Sequence, residues 1–524
     1  MGARHRARRG GAARLADGGA DGAVAGGRPR SHPDRAPSPP PGRGCRLMAL
    51  EHVIVVLYLL ACIGIGVWAS RRSLKSADDY WVAGRNVGTW VNAMAIMASL
   101  ASGGSIIGVM GLAYAQGIPA TLALFAGAVV GFPLASILVA RPLRRFGRFT
   151  ITDFLADRYP HRVVRLLVPT LIVLSFTVYI VAQMKAAGIT AEVLLGIPYE
   201  TALTLATLVF VLYVSVGGML AVTWTDLVQG VLMVVVVLGT AIALIVRAGS
   251  PAELLDAGIA AAPALGAAPN HPITTDLGSF VIWAAAVPVI PHVVMRVYTA
   301  KDPNSARLSL NLAMLFYSAL VLAAVFFIVP FAKAHHPGLA DADQVFLAVM
   351  DSEFGPLVRG LAVAAVLAAV MSTTDALLLA VSSAVAHDLI GRGLGARLSP
   401  KALGRVNVGV VWVIGLTAMV LAYDPPGLIT VFYSAAIGVL GASLLVPVLA
   451  GLWWRRANLT GGVAALVAGA AVYLTVQLAP GTSPLSAILF ALPASALAMV
   501  VGALFGPPDP PERLAAIAAL HEET

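Results

Sequence analysis

The chain has 524 residues, 59% of them hydrophobic and only 12% charged, with a mean hydropathy of +0.86. So little charge cannot cover the surface of a water-soluble domain of this length, which places the chain in lipid. The net charge of +9 does not point to nucleic acid: ten of the 35 basic residues are arginines in the first 46 positions, and most of the others sit in short loops between apolar runs.

Residues 1–47 are rich in Arg, Gly, Ala and Pro, have no apolar period, and lead into Met48-Ala49-Leu50 just before the first apolar run. They lack the apolar core and cleavage pattern of a signal peptide. The expectation is that Met48 is the true start and residues 1–47 are translated upstream sequence. The competing reading is a disordered basic arm on the cytoplasmic surface. A transmembrane domain is expected over 48–506 and a short cytoplasmic tail over 507–524. The two cysteines, Cys45 and Cys62, can build neither a disulfide framework nor a thiolate metal cluster.

A membrane-spanning helix needs about 20 apolar residues. Thirteen runs qualify, near 51–69, 90–115, 119–140, 163–186, 201–217, 220–246, 277–299, 308–332, 355–387, 405–422, 427–452, 460–478 and 484–505. Unbroken stretches such as Val231 to Val246 exclude the alternation of a β-barrel, which leaves an all-α membrane protein. With the N-terminus outside, the cytoplasmic loops hold 21 basic residues and the outer loops three, Arg247, Lys333 and Arg359. One missed span would scramble that split, so it supports the count, a cytoplasmic C-terminus and a multi-pass protein of the cell inner (plasma) membrane.

Two runs are interrupted at mid-membrane depth. The second contains Ala98-Ser99-Leu100-Ala101-Ser102-Gly103-Gly104-Ser105, and the seventh reads Trp283 to His292 with Pro288 and Pro291 inside it. Proline and glycine unwind a helix, and unwound backbone is tolerated in a membrane only where protein encloses it. The interruptions lie five spans apart, each on the first helix of a five-helix unit, the units covering 90–246 and 277–452. An odd number of helices per unit inverts the second relative to the first, and paired broken helices in inverted repeats point to a transporter's central site. Gly, Ser and Pro also occur at ordinary helix crossings, which is the plainer reading of either run alone.

The ninth run carries Ala369-Val370-Met371-Ser372-Thr373-Thr374-Asp375. Hydroxyls of Ser372 and Thr373, with carbonyls freed at Ala98 and Ala101, would suit a hard monovalent ion that must also leave. Back-bonding to their own helix is the alternative for such hydroxyls. Asp226 and Asp375 are carboxylates within spans, costly there and therefore candidates for function. Lys185 is read as the only basic residue within a span, near the outer end of the fourth. It either snorkels to the headgroups or attracts a solute carboxylate.

The run Gly217-Gly218-Met219-Leu220-Ala221-Val222-Thr223-Trp224-Thr225-Asp226-Leu227-Val228-Gln229, with Met371-Ser372-Thr373, Pro291-His292 and Arg296, resembles the sodium:solute symporter family. That family includes proline, pantothenate and monocarboxylate permeases and sodium–sugar symporters. The resemblance spans about residues 50–505 and implies a leucine-transporter-type 5+5 inverted repeat of about 13 helices, working by alternating access. It implies a sodium site from Ala98, Ala101, Ala369, Ser372 and Thr373. Asp226, Asp375 and Ser102 would form a second cation or proton site or an ion path. The solute would meet Trp283, Val287, Pro291, Tyr179, Ser99 and Lys185. Two departures stand out: Leu100 replaces an aspartate of the proline permease, and Val287 stands where that permease has a tyrosine.

The expected function is sodium-coupled uptake of a small organic solute, most readily a small carboxylate such as a monocarboxylate or pantothenate. A missing tyrosine at 287 argues modestly against proline, which with other small amino acids is the second choice. Proton coupling and a transporter-like solute sensor are the further alternatives. No nucleophile–base pair, metal cluster or phosphate loop supports an enzyme.

Overall fold

The computed structural model describes residues 50–73, 77–396, 399–424 and 427–522. The expectations for the tail 1–47 and for Met48 lie outside these residues. Among the described residues the chain is helical, with no strand and one isolated bridge between Val87 and Ala300. Each of the thirteen apolar runs falls on a helix.

In chain order these are α1 (Leu50–Ser73), α2 (Thr89–Leu100), α3 (Gly104–Gln116), α4 (Ile118–Phe146), the short α5 (Ile151–Arg158), α6 (Arg162–Leu195), α7 (Tyr199–Gly217) and α8 (Met219–Ala248). There follow α9 (Ile273–Ala286), α10 (Pro291–Thr299), α11 (Pro303–His335), α12 (Pro356–Gly393), α13 (Ala402–Ala422), α14 (Ile429–Trp453), α15 (Leu459–Gln477) and α16 (Ile488–Phe505). Among the described residues eleven spans are long and apolar enough to cross a membrane, and the bent pair α2–α3 makes a twelfth. The apolar stretch of α7, Tyr199–Leu212, is shorter.

Packing follows an inverted-repeat logic. The broken α2 of the first unit packs on α11, the second helix of the other unit, and the broken α9 packs on α4, the second helix of the first. Likewise α8 packs on α12 and α14 on α6, while α6 and α12 pack on each other. Every one of these contacts maps onto its partner when the two units are exchanged. Burial follows: 94% of the apolar window of α12 is buried, against 22% in α1 at the periphery.

The first break bends α2 from α3 by 61°. Two glycines make it: a Cβ on Gly103 would lie 2.7 Å from Ala186 Cβ, and one on Gly104 would lie 2.3 Å from the Tyr433 ring. The second break, Val287–Ile290, closes on itself, with the amides of Val289 and Ile290 donating to Ala286 O at 2.9 and 2.7 Å. Pro291 then opens α10 at a position where its missing N–H costs no helical bond.

Candidate functional site

Unwinding α2 leaves carbonyls without helical partners, and a buried orphan is expensive. Side chains of distant helices meet them. Ser372 Oγ donates at 2.9 Å to Ala98 O, and its own-helix acceptors Ala368 O and Ala369 O lie at 2.8 and 3.2 Å. Thr373 Oγ1 donates to Ser99 O at 3.1 Å. The back-bonding alternative and the cross-helix one therefore hold together at Ser372. Ligands at calcium-like distances of about 2.3–2.6 Å sit roughly 3–3.6 Å apart around a hard cation, close to these oxygen separations. The cluster can accept such an ion with small movements.

The placement differs in detail from the expectation. Ala98, Ala369 and Ser372 come into direct contact, while the Thr373 hydroxyl meets Ser99. Ser99, expected at the solute, thus lends its carbonyl to the cation side, and its hydroxyl back-bonds to Ile96 O at 3.0 Å. Ala101 sits in the break with its amide on Met97 O at 2.7 Å and a non-helical ψ of 66°, in the same stretch as Ala98.

Asp226 and Asp375, both fully buried, lie on α8 and α12. The Arg296 guanidinium donates to Asp226 Oδ2 and, at 2.6 Å, to Thr223 Oγ1. Both carboxylate oxygens of Asp375 lack a hydrogen-bond partner, and its surroundings include the charges of Asp226 and Arg296. Arg296 corrects the view of Lys185 as the only basic residue within a span: it lies in the last turn of α10, 1% exposed. Asn92 Nδ2 donates to the Arg296 carbonyl at 3.1 Å and ties α2 to this group. Ser102 is elsewhere: its hydroxyl accepts from Ser105 N at 3.2 Å and caps the start of α3. His292 has neither ring nitrogen paired and lies against Phe176 with ring centroids 5.5 Å apart.

On the other side of the α2–α3 break the helices build an aromatic cage. Tyr179 of α6 stacks on Tyr433 of α14, centroids 4.9 Å apart, and Trp283 of α9 meets Tyr433 edge-on at 5.7 Å. Trp283 Nε1 donates to Ser434 Oγ at 3.1 Å. Tyr317 of α11 lies 3.4 Å from Ser105 Oγ through its hydroxyl. Gln183, one turn beyond Tyr179, accepts Gly103 N at 3.0 Å. Its Nε2 and the hydroxyls of Tyr179 and Tyr433 are buried with no hydrogen-bond partner, Ser102 lying beside Tyr179 and Ser105 and Thr430 beside Tyr433 at longer range. Gln183, Tyr317 and Tyr433 were missed in the sequence. The available signal was an amide four residues after Tyr179, on the same helix face.

The remaining expected solute residues, Val287, Pro291 and Lys185, have contacts of their own. Val287 packs over Gly131, where an added Cβ would lie 2.7 Å from Val287 Cβ. Pro291 starts α10 beyond the break. Lys185 neither snorkels nor stands free: Nζ pairs with Asp343 Oδ2 at 2.9 Å and donates to Gly427 O at 2.8 Å. Asp343 Oδ2 also accepts Ile429 N at 3.3 Å, so the pair ties α6 to the loop before α12 and the start of α14. Burial lifts the Asp343 carboxyl above the usual carboxylate range, although Lys185 pulls it down.

Residues 80–469 match the sodium:solute symporter family. The chain is 29% identical over 466 residues to the osmoregulated proline transporter OpuE of Bacillus subtilis (strain 168), covering 87% of this chain and 94% of that one. It is 30% identical over 436 residues to the sodium/proline symporter of Escherichia coli (strain K12), covering 79% and 85%. Among solved structures it is similar to a substrate-bound, outward-open Na+-coupled sialic acid symporter at a TM-score of 0.72 and 19% identity, covering 88% and 98%. It is also similar to Mhp1, a nucleobase-cation-symport-1 family transporter, closed with bromovinylhydantoin bound, at 0.55 and 16%, covering 86% and 100%. At such identities the structures establish the fold, the leucine-transporter type.

Proposed function

The chain belongs to the sodium:solute symporter family, and from that premise we propose that it takes up proline with sodium. The single observation behind the coupling is that one broken segment, Ala98–Ser105, serves both ligands. Its carbonyls at Ala98 and Ser99 face the hydroxyls of α12, and its amides and glycines at 103–105 touch Gln183 and Tyr433. A sodium ion held by Ala98, Ala369, Ser372 and Thr373, with Ala101 nearby, would hold that segment in the shape that floors the cage. Each ligand then raises the other's affinity by the same factor, which is what symport requires.

The cage suits proline. A carboxylate would find Gln183 Nε2, tyrosine hydroxyls and the N-terminal end of α3, where amides point at an anion. The ring's secondary ammonium would lie against the faces of Tyr179, Tyr433 or Trp283, an attraction of about 0.5–2 kcal/mol in a desolvated site. Proline therefore displaces the monocarboxylate or pantothenate favoured from sequence. The tyrosine missing at 287 counted against proline, yet Tyr433 and Tyr317 bring hydroxyl-bearing rings from other helices. The names of the Bacillus and Escherichia relatives point the same way.

Asp226 and Asp375 are proposed as an ion path, or a second cation or proton site, in which Arg296 offsets part of the charge. The arginine-rich loops face the cytoplasm and the N-terminal end of α1 faces outward, as the basic residues divide.

Uptake of labelled proline, a short monocarboxylate and pantothenate into proteoliposomes, with and without an imposed sodium gradient, tests the reading. Proline accumulation driven by the gradient is expected. Accumulation of a monocarboxylate without proline would overturn the solute assignment, and proline uptake indifferent to sodium would overturn the coupling.

A further inference from the structure

On the side of the molecule that carries the arginine-rich loops, α5 meets the end of α12. Thr150 caps α5, its Oγ1 accepting Asp153 N at 3.1 Å while Asp153 Oδ2 accepts Thr150 N at 3.2 Å. This capping box fixes the Asp153 carboxylate and leaves Oδ1 facing α12. The last turns of α12, 384–393, are wound wide, with i→i+5 bonding. Such turns recur at functional sites. Here the neighbours His387 and Asp388 both reach the same cluster.

His387 Nε2 lies 3.1 Å from Asp153 Oδ1 and 3.9 Å from Asp388 Oδ1, and the three ligand atoms all fall within 4.8 Å of one another. A tetrahedral ion with bonds of about 2.0–2.2 Å has ligand edges of roughly 3.4 Å, so small shifts suffice. An independent sign is the unpaired polar atoms: Asp388 Oδ2 and Thr152 Oγ1, on side chains 1% exposed, have no hydrogen-bond partner, and Thr152 lies beside Asp388. Thr150 Oγ1 donates to Asp388 Oδ1 at 3.2 Å. Arg392 now offsets the charge, its Nε 3.2 Å from Asp153 Oδ1 and its Nη1 3.1 Å from Asp157 Oδ1. Phe149 stands edge-on to the imidazole at 5.5 Å and limits its rotation.

We propose that Asp153, His387 and Asp388 form a binding site for a transition-metal dication of the zinc type, with Thr152 or water completing the shell. One imidazole and two carboxylates select such ions over magnesium, calcium and sodium, which favour oxygen alone. The ion would clip α5, between α4 and α6, to the helix that carries Ser372 and Thr373, and so slow alternation between states.

The test uses the purified full chain. Equilibrium dialysis against zinc chloride should show a component of one ion per chain that excess magnesium does not displace. His387→Ala should weaken that component by about tenfold or more. Zinc retained unchanged in His387→Ala overturns the site and places the ion elsewhere. Should that variant fail to fold, Arg392→Gln carries the test: with the competing guanidinium gone zinc should bind tighter, and equal or weaker binding overturns the site. In proteoliposomes, zinc should slow sodium-driven uptake by wild type but not by His387→Ala, which should match wild type in metal-free buffer. Only this transport arm rests on the proposed function; uptake failing in every variant would indict that function while leaving the dialysis result standing.

Discussion

The two broken helices occupy matching places in the two repeats and solve the same problem by opposite means. At Ala98–Gly104 the chain uses small and hydroxyl residues, leaves carbonyls open and lets α12 and α14 meet them. At Val287–Ile290 it sets Pro288 among apolar residues, closes the backbone on Ala286 O and restarts the helix at Pro291. The first break is polar and shared between helices; the second is local, and what it contributes to the cage is the ring of Trp283. Symmetry of the repeat thus places a break, and the local side chains decide whether its carbonyls stay open to other helices.

The sharpest way to break this contrast is steric. Gly104→Ala puts a methyl 2.3 Å from the Tyr433 ring, which is itself packed against Tyr179 and Trp283. Labelled-solute uptake should fall at least about 100-fold, the cost of roughly 3 kcal/mol of misplacement. Survival of uptake would remove the shared segment from the mechanism.

Next comes the hydroxyl pair. Ser372→Ala with Thr373→Ala removes the cross-helix partners of Ala98 O and Ser99 O. Each lost hydrogen bond to a buried carbonyl costs about 1–3 kcal/mol. The sodium concentration for half-maximal uptake should rise at least about tenfold, and a titration unchanged from wild type would sink the assignment of these oxygens to sodium.

The pair Lys185–Asp343 sharpens the comparison by adding a charged closure to a neutral one. Lys185→Met leaves Asp343 buried without its cation and should cost about 3 kcal/mol or more of stability. Asp343→Asn removes the buried charge as well and should cost less. Because burial raises this carboxyl in the folded state, the native chain binds more protons than the unfolded one between about pH 3.9 and its raised value. Stability through this group therefore falls as pH rises across that window. Lowering the pH from 7 toward 5 should raise the thermal midpoint of Lys185→Met, read by dye-based unfolding in detergent, more than that of Asp343→Asn.

The smallest effect belongs to the second break. Pro291→Ala sacrifices no hydrogen bond, since Pro291 sits at the first position of α10, and should change stability by less than about 1 kcal/mol and uptake by less than about threefold. A large loss would show that this break too is a working part.

The architecture was legible because lipid imposes it: apolar runs of sufficient length, the one-sided basic loops and two interruptions five spans apart give the helices and the repeat without any contact being known. Ser372 and Thr373 stood out as hydroxyls beside Asp375 in the ninth run, and the fold turns both toward α2. What α2 would offer them was less so. The sequence reading paired them with Ala98 and Ala101, whereas the fold sets Ser99 O opposite Thr373, because a 61° bend decides which carbonyls turn outward. Tyr433, Tyr317 and Gln183 come from three helices far apart in sequence, and nothing in a single run marks rings that will stack only after the repeats interlock. Arg296 sat among loop charges until packing buried it on Asp226. Periodicity and hydropathy are properties of neighbours along the chain and so determine which segments become helices. Which side chains share a site depends on how helices cross, and that only the tertiary structure decides.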